Sequence, residues 1–372
     1  MFSGRLVSGD FKNVGHYRDV TQFTRILLWT LVAGLGLPDW ASGQEDDRPV
    51  NFVEDVTNAG TSAAAFLEIG VGGRAQAMGN AGVALAHDAS SMFWNPAAAS
   101  ALEGSILVSF DHTAWFANSQ LQYVAAVLDL PRIGVVGISV LNFQIVDQAP
   151  VRTILQPEGT GEFYSASDLA LSLTYAARLT PRFMVGISGK IIQETLWNEQ
   201  ARAFAFDLGM TYHTNLPGLS VAAGLANFGT GMRLEGRDLR RPFDDDPRNF
   251  SNDKLNVNLQ TDTFSLPLLF RFGIAYQVEA SLHQMTFAAD VLHPSDNSES
   301  VNAGLEYTFM DVVSFRAGLA SFFEKDRTGG YTFGMGLHHE LLGKLGITVD
   351  YAYATWGVLN ATHRFTVTLA SP

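Results

Sequence analysis

Downstream of residue 103, apolar and polar positions alternate with a period of two over most of the chain. In "LGITVDYAYAT", Leu345, Ile347, Val349, Tyr351 and Tyr353 fall on one face and Gly346, Thr348, Asp350, Ala352 and Ala354 on the other. "AFAFDLGMTY" sets Phe204, Phe206, Leu208, Met210 and Tyr212 against Ala203, Ala205, Asp207, Gly209 and Thr211. "YTFGMGLH" repeats the arrangement with Tyr331, Phe333, Met335 and Leu337 against Thr332, Gly334, Gly336 and His338. A period of two is that of a strand with two unlike faces. It predicts fourteen strands, over 104–112, 121–130, 134–147, 165–178, 183–193, 201–212, 219–227, 266–278, 283–292, 300–308, 312–322, 330–338, 345–355 and 363–370. Connections after even strands are mostly tight ("LPRI", "LTPR", "TNLPG", "EASLH", "FMDV", "ELLGK"). Those after odd strands are mostly longer, among them "QAPVRTILQPEGTGEFY" and 228–265.

Alternation alone does not say which face is inside. A soluble sandwich buries the large residues, whereas a membrane barrel turns them to lipid and keeps a polar lumen. Aromatic residues gather near strand ends at Trp115, Tyr164, Tyr212, Tyr276, Tyr307, Tyr353 and Trp356, where interface girdles lie. Isolated charges sit on the small faces among Gly, Ala and Ser: Asp168, Lys190, Asp207, Arg271, Asp290, Glu306, Arg316, Asp350 and Arg364. Such residues suit a lumen in which opposite charges pair across the barrel. The expected fold is therefore all-β, a 14-stranded antiparallel transmembrane β-barrel, with a soluble sandwich as the alternative. Short turns belong on the periplasmic side and long loops outside, and an even strand count puts both barrel ends in the periplasm.

Composition narrows the partners. A net charge of −13 argues against nucleic acid. The absence of Cys excludes disulfides, thiolate metal sites and a lipoprotein anchor. At the N-terminus, Arg5, Lys12, Arg18 and Arg25 precede "ILLWTLVAGLGL", then Pro38 and the small residues Ala41 and Gly43. This is the order of a secretory signal peptide, with an apolar core short of the ~18 residues of a spanning helix. Cleavage is expected near Gly43, a membrane anchor is the alternative, and the long basic region points to a start codon further downstream.

The stretch "GGRAQAMGNAGVALAHDASSMFWNPAAAS", Gly72 to Ser100, is too rich in small residues for an ordinary core element. Gly72, Gly73, Gly79 and Gly82 permit tight turns and close backbone approach. Asp88 and Ser90 are candidate N-caps for a helical turn containing Met92 to Trp94, and Pro96 starts a new direction. No Gly-x-Ser-x-Gly elbow, Walker loop or His-Glu-x-x-His motif is present, so no catalytic residue and no cofactor are expected. "HHE" at His338 to Glu340 does not imply a metal, because adjacent strand residues point to opposite faces.

The block "GTSAAAFLEIGVGGRAQAMGNAGVALAHDASSMFWNPAAAS" resembles the N-terminal signature of the PorV/PorQ family of outer-membrane proteins, relatives of the FadL-type transporters. "ANFG" at 226–229, "DVLHPSDN" at 290–297, "VNAGLEY" at 301–307, "RAG" at 316–318 and "DYAYATWGVLNATHRFTVTL" at 350–369 extend the resemblance over the mature chain. It implies a hatch folded inside the barrel and hence four parts: signal peptide 1–43, periplasmic N-terminal segment 44–60, hatch or plug 61–103, and barrel 104–372. The hatch motif comprises Arg74, Met78, Gly79, Asp88, Ser90, Trp94, Asn95 and Pro96, with Arg74 placed to meet a lumen carboxylate. Simple plugging and ligand gating both remain open for it.

Two functions follow from the resemblance. In type IX secretion the barrel receives cargo with a C-terminal β-sandwich signal and passes it to a protease-like surface-attachment partner. Recognition then falls to the loop "RDLRRPFDDDPRN", through Arg237, Asp238, Arg240, Arg241, Asp244, Asp245 and Asp246, whose alternative role is solvated surface. In FadL-type uptake it admits a hydrophobic small molecule, with Phe66, Leu67, Met78, Met92 and Phe93 as the candidate apolar pocket. Outer-membrane lipid is a partner either way. Barrels of this kind commonly finish on an aromatic residue, whereas this chain ends Leu369-Ala370-Ser371-Pro372. Phe365 and Val367 keep the alternation, so a last strand with an atypical assembly signal is expected.

Overall fold

The computed structural model describes residues 58–85, 88–102, 106–244, 248, 255–324, 329–341 and 345–371. The expected signal peptide, 1–43, and most of the expected segment 44–60 lie outside these residues.

Fourteen strands span the wall. They are β1 (Ile106–Ala114), β2 (Ser119–Leu130), β3 (Gly134–Ile145), β4 (Ala166–Arg178), β5 (Phe183–Leu196), β6 (Glu199–His213) and β7 (Leu219–Gly229), followed by β8 (Leu269–Ala280), β9 (His283–Pro294), β10 (Ser300–Phe309), β11 (Val313–Phe322), β12 (Tyr331–Leu341), β13 (Leu345–Thr355) and β14 (Ala361–Ser371). Every neighbour pair is antiparallel, and β1 pairs with β14 from Ile106↔Ser371 to Ala114↔His363, which closes the sheet into a barrel without edges. The fourteen expected strands are all present, with ends displaced by no more than about three residues.

The faces sort as the alternation requires. Asp350, Ala352 and Ala354 are buried while Val349 is exposed, and Phe204, Phe206, Leu208, Met210 and Tyr212 all face outward. Large apolar side chains thus form an outer band, and the small and charged ones turn into the lumen. This is the inside-out pattern of a barrel solvated by lipid. No described helix is long and apolar enough to cross a membrane, so crossing is by strands. Aromatic residues close the ends of the band: the Trp115 and Trp356 rings lie 5.2 Å apart, and Tyr164 and Trp197 5.1 Å.

Connections after even strands are tight. At β10–β11 the turn has Met310 and Asp311 both at positive φ, the backbone of a type I′ hairpin. On the other side the chain makes the hairpin-like excursion 146–165 and the loop 230–268, in which Arg240–Phe243 pairs with Leu255–Asn258. Four connections on this side depart from the expectation of long loops, among them β9–β10 (295–299) and β13–β14 (356–360). β1–β2 turns through Ala117 and Asn118, both at positive φ, and β5–β6 through Trp197 and Asn198. The β5 and β6 strands run to 14 and 15 residues, well beyond the ~9–11 that cross a bilayer, so their hairpin stands above the membrane.

Two bulges interrupt the ladder, at Phe206/Leu208 on β6 against β7, and at Val301/Ala303 on β10 against β11. Each places a left-handed residue, Asn227 or Ser321, in the longer strand. In both, a lumen side chain opposite the bulge takes the freed amide: Asp207 Oδ1 accepts from Asn227 N at 2.8 Å, and Asn302 Oδ1 from Ser321 N at 2.7 Å. Some of the buried polar lumen residues therefore serve the barrel wall itself.

Candidate functional site: the lumen and its inner segment

Residues 61–102 lie within the barrel. They form a 3₁₀ turn Ala65–Glu68, helix α1 (Gly73–Ala77), helix α2 (Ser91–Trp94) and a 3₁₀ helix Pro96–Ala101. Short elements are what a sequence of small residues permits, because none carries enough apolar surface to stand alone. Trp94 organises the centre. Its Nε1 donates to Val71 O at 3.0 Å, and its ring fills the space that a Cβ at Gly70 or Gly82 would need. Gly79, at φ +72°, passes so close to the wall that a Cβ there would meet Ala303 O and Leu319 O at 2.6 Å.

The α1 half is tied to the wall by charge. Arg74 donates to Glu306 through Nε at 2.8 Å and Nη2 at 2.6 Å. Glu306 also takes Arg316 Nε, and Arg316 Nη1 reaches Asp350 at 2.5 Å, giving a buried relay across β10, β11 and β13. Asp111 on β1 accepts from Gly72 N at 3.2 Å and Thr366 Oγ1 at 2.6 Å, and faces Arg364 Nε at 3.6 Å. Asp290 on β9 receives the amide of Val83 at 2.9 Å. Coulomb attraction to Glu306, set against desolvation as the largest influence, leaves the Arg74 guanidinium above its ordinary pKa.

The α2 half is held by shape, by one amide and by two wall arginines, of which Arg178 donates through Nε to Ser100 O at 2.6 Å. Asn95 caps the 3₁₀ helix by accepting from Ala97 N at 3.0 Å, while its Nδ2 donates to Val83 O, Met210 O and Thr211 Oγ1. The Pro96–Ala101 helix packs on β3 to β6 where Gly186 and Gly209 leave room. Arg271 closes the gap between the halves. It donates to Phe93 O at 3.1 Å and its guanidinium lies 5.4 and 5.3 Å from the Phe93 and Trp94 ring centres, a cation–π arrangement.

Several expected residues sit otherwise than their sequence context suggests. Ser90 does not cap α2; its Oγ and amide both go to Asp88, so Asp88 alone holds that turn. Phe66, Leu67, Met92 and Phe93 share one apolar cluster, but Met78 belongs to a second, with Val83 and Leu85. Lys190 pairs with Asp207 at 2.6 Å, whereas Arg271 uses carbonyls and rings, and Asp168 lies opposite another acid, Glu194, on β5. Glu194 in turn accepts from the amide of Ala64 at 2.9 Å. In the outer loop, Arg237 and Asp238 lie in a 3₁₀ turn and Arg240 and Arg241 in a strand, while Asp245 and Asp246 are outside the described residues. His338 is half-buried and His339 exposed, and no described group of three His, Asp or Glu side chains is placed to hold a metal. Asp111 was not among the expected charges, although "SFDHTA" carries the same alternation of Ser109, Asp111 and Thr113.

The free space divides unequally. Between Leu67, Met92, Phe93, Tyr123 and Lys190 there is about 20 Å³, room for a water. On the side of the tight turns a polar vestibule of about 850 Å³ opens beneath α1 and the 3₁₀ helix, with Arg74, Asp88, Glu306 and Arg316 in its walls.

A closed fourteen-stranded barrel with an apolar outer band and a filled interior is the architecture of the FadL-type outer-membrane proteins. The crystal structure of the Ralstonia pickettii toluene transporter TbuX is similar, with a TM-score of 0.51 at 14% identity over 81% of this chain and 97% of that one. The Pseudomonas putida toluene transporter TodX has a TM-score of 0.49 at 11% identity over 81% and 97%. For a Pseudomonas aeruginosa FadL homologue the values are 0.47 and 11%, over 80% and 96%. At these identities the likeness is one of fold. No curated protein matches the chain. The family model described as "Type IX secretion system protein PorV" matches residues 52–207, from before the inner segment to the β6 bulge. Residues 52–207 are thus similar to the PorV family, and the fold is that of an outer-membrane β-barrel, resident in the outer membrane of a Gram-negative cell.

Proposed function

We propose that this barrel receives secreted proteins at the outer face of the membrane as a component of type IX secretion, and that the inner segment acts as a fixed plug. The match of residues 52–207 to the PorV family carries the reading, because it takes in the inner segment as well as the wall. The lack of room beside the candidate apolar residues supports it: about 20 Å³ next to Met92 and Phe93 compares with the roughly 300–1,000 Å³ of ordinary ligand pockets, and the larger vestibule is polar. The described part of the outer loop offers a mixed-charge surface at Arg237, Asp238, Arg240 and Arg241, suited to the C-terminal β-sandwich of a cargo and to a protease-like attachment partner. No step of this role needs catalysis by the barrel.

Deleting Arg237 to Asp246 is expected to leave cargo inside the cell while the barrel still assembles; normal surface display of cargo would count against the proposal. Uptake of a hydrophobic molecule is the rival, favoured by the likeness to a toluene transporter. It requires Met92 and Phe93 to move and open a larger cavity. Under that reading Met92→Asp with Phe93→Asp abolishes ligand binding and leaves secretion untouched.

A further inference from the structure

The outer wall carries a groove at the upper end of β6. On that strand Gln200, Arg202, Phe204, Phe206, Leu208 and Met210 share the outward face, and Phe204 is among the most exposed of the large apolar residues. Arg202 therefore stands one repeat above the lipid-facing phenylalanines. β7 leaves β6 after Gly229↔Ala205, and the chain rejoins it only at Glu235↔Gln200. The strip between alternates. Met232 is buried and Leu234 packs on the inner core, while Gly231, Arg233 and Glu235 face the groove. With Gln200, Arg202 and Thr263 they enclose about 520 Å³.

The cation in this groove is pre-positioned and not neutralised. Arg202 donates through Nε to Gln193 Oε1 at 3.0 Å and through Nη2 to Gln200 Oε1 at 3.1 Å, both uncharged acceptors. Among the described residues no carboxylate lies within ion-pair distance of it. Arg233 is paired with Glu235. Two arginines less one glutamate leave one positive charge, in a chain whose net charge is −13. An arginine on the lipid face costs about 2–4 kcal/mol at the bilayer centre but only about 0–1 near the interface. Arg202 lies beyond Phe204 toward the long loops, at the end of the outward apolar face of β6, the side on which a Gram-negative outer leaflet displays phosphorylated sugars.

We propose that this groove binds the phosphate monoester of an outer-leaflet glycolipid, with Arg202 as the main donor and Phe204, Phe206 and Phe228 as the bed for an acyl chain. Guanidinium and phosphate oxygens form parallel charge-assisted hydrogen bonds, which a glutamine-braced arginine is oriented to make. Phe206 and Phe228, with ring centres 4.9 Å apart at the β6 bulge, extend the apolar surface directly below. The site does not depend on either reading of the lumen.

The test is native mass spectrometry of the full-length protein with bis-phosphorylated lipid A, with dephosphorylated lipid A, and with inorganic phosphate. The phosphorylated lipid is expected to be retained about tenfold or more over the dephosphorylated one, and Arg202→Ala to remove that preference. Arg202→Lys keeps part of it, and Arg182→Ala, at a turn on the opposite side, changes nothing. Heat-modifiable electrophoretic mobility establishes that each variant is folded. Equal retention of both lipids, or an unchanged preference in Arg202→Ala, would overturn the site. Inorganic phosphate that binds alone through Arg202, with neither lipid retained, would overturn its assignment to a membrane glycolipid.

Discussion

The two halves of the inner segment are held by different physics. Residues 72–83 hang on a buried network: Arg74 with Glu306 and Arg316, Gly72 with Asp111, Val83 with Asp290. Residues 91–101 meet β3 to β6 almost backbone to backbone, in room left by Gly186 and Gly209, with Asn95 and the carbonyl contacts of Arg178 and Arg271 as polar ties. The first attachment is strong but conditional on every partner being present, since a buried charge that loses its partner costs more than the pair gains. The second depends mainly on volume, and the wall arginines that tie it meet neutral carbonyls and rings instead of carboxylates. A segment held this way can be loosened at one half without disturbing the other.

The largest effect is expected from Glu306→Ala, which removes the carboxylate paired with Arg74 in a buried site and leaves Arg316 only Asp350. Breaking such a group costs roughly 3–5 kcal/mol, so amide hydrogen exchange of residues 72–83 should accelerate by two or more orders of magnitude. Exchange across 91–101 should stay near wild type. Equal acceleration in both halves would mean that the segment opens as one unit, and the contrast drawn here would fail.

Gly209→Val probes the other half. A Cβ at 209 would meet the Asn95 Oδ1 at 2.0 Å and Pro96 Cδ at 2.8 Å, so the cap and the 3₁₀ helix must shift. Overpacking of this kind costs about 1–3 kcal/mol. The exchange pattern should invert, with 91–101 loosened by roughly one order of magnitude and 72–83 protected as before. Added salt should leave this variant's opening unchanged, because no ion pair is involved.

Much of this molecule can be read from its sequence, and the limits have a physical form. The wall is legible because lipid outside and polar residues inside impose a period of two on every strand, so "LGITVDYAYAT" already reveals which side of β13 faces which solvent. The pairing of charges is not legible. Arg74 and Glu306 are 232 residues apart and meet only once the register of the wall and the path of the inner segment are both fixed. The same holds for Asp168, which has the right alternation for a lumen charge but faces Glu194 instead of a cation. Bulges are hidden for a related reason. Asn227 and Ser321 are ordinary strand residues until the register shift puts them at positive φ, and only then do Asp207 and Asn302 acquire a structural task. The tight turn at β5–β6 is hidden because its strands outrun the membrane and take up residues that a shorter strand would leave to a loop.

The smallest expected effect lies at the outer end of the segment and adds pH to the comparison. Glu68 closes the first 3₁₀ turn, and its pKa is raised to about 7, first by desolvation, then by the neighbouring charge of Asp296 and more weakly Glu324, with Arg271 opposing. A carboxyl whose folded pKa lies above its ordinary 4.5 favours the fold while protonated, so its contribution is complete at low pH and fades as pH rises through 7. The side chain keeps contact with solvent, which limits the size of the effect. After correction for intrinsic rates, exchange at residues 64–69 should be a few-fold faster at about pH 8 than at about pH 6, and Glu68→Gln should remove the difference. The turn around Arg74, residues 73–77, should show none of this, because Arg74 holds its charge throughout that range. A pH response in 73–77 equal to that in 64–69 would place a titrating group among the wall carboxylates that hold α1, and the charge-held half would then be a switch as well as an anchor.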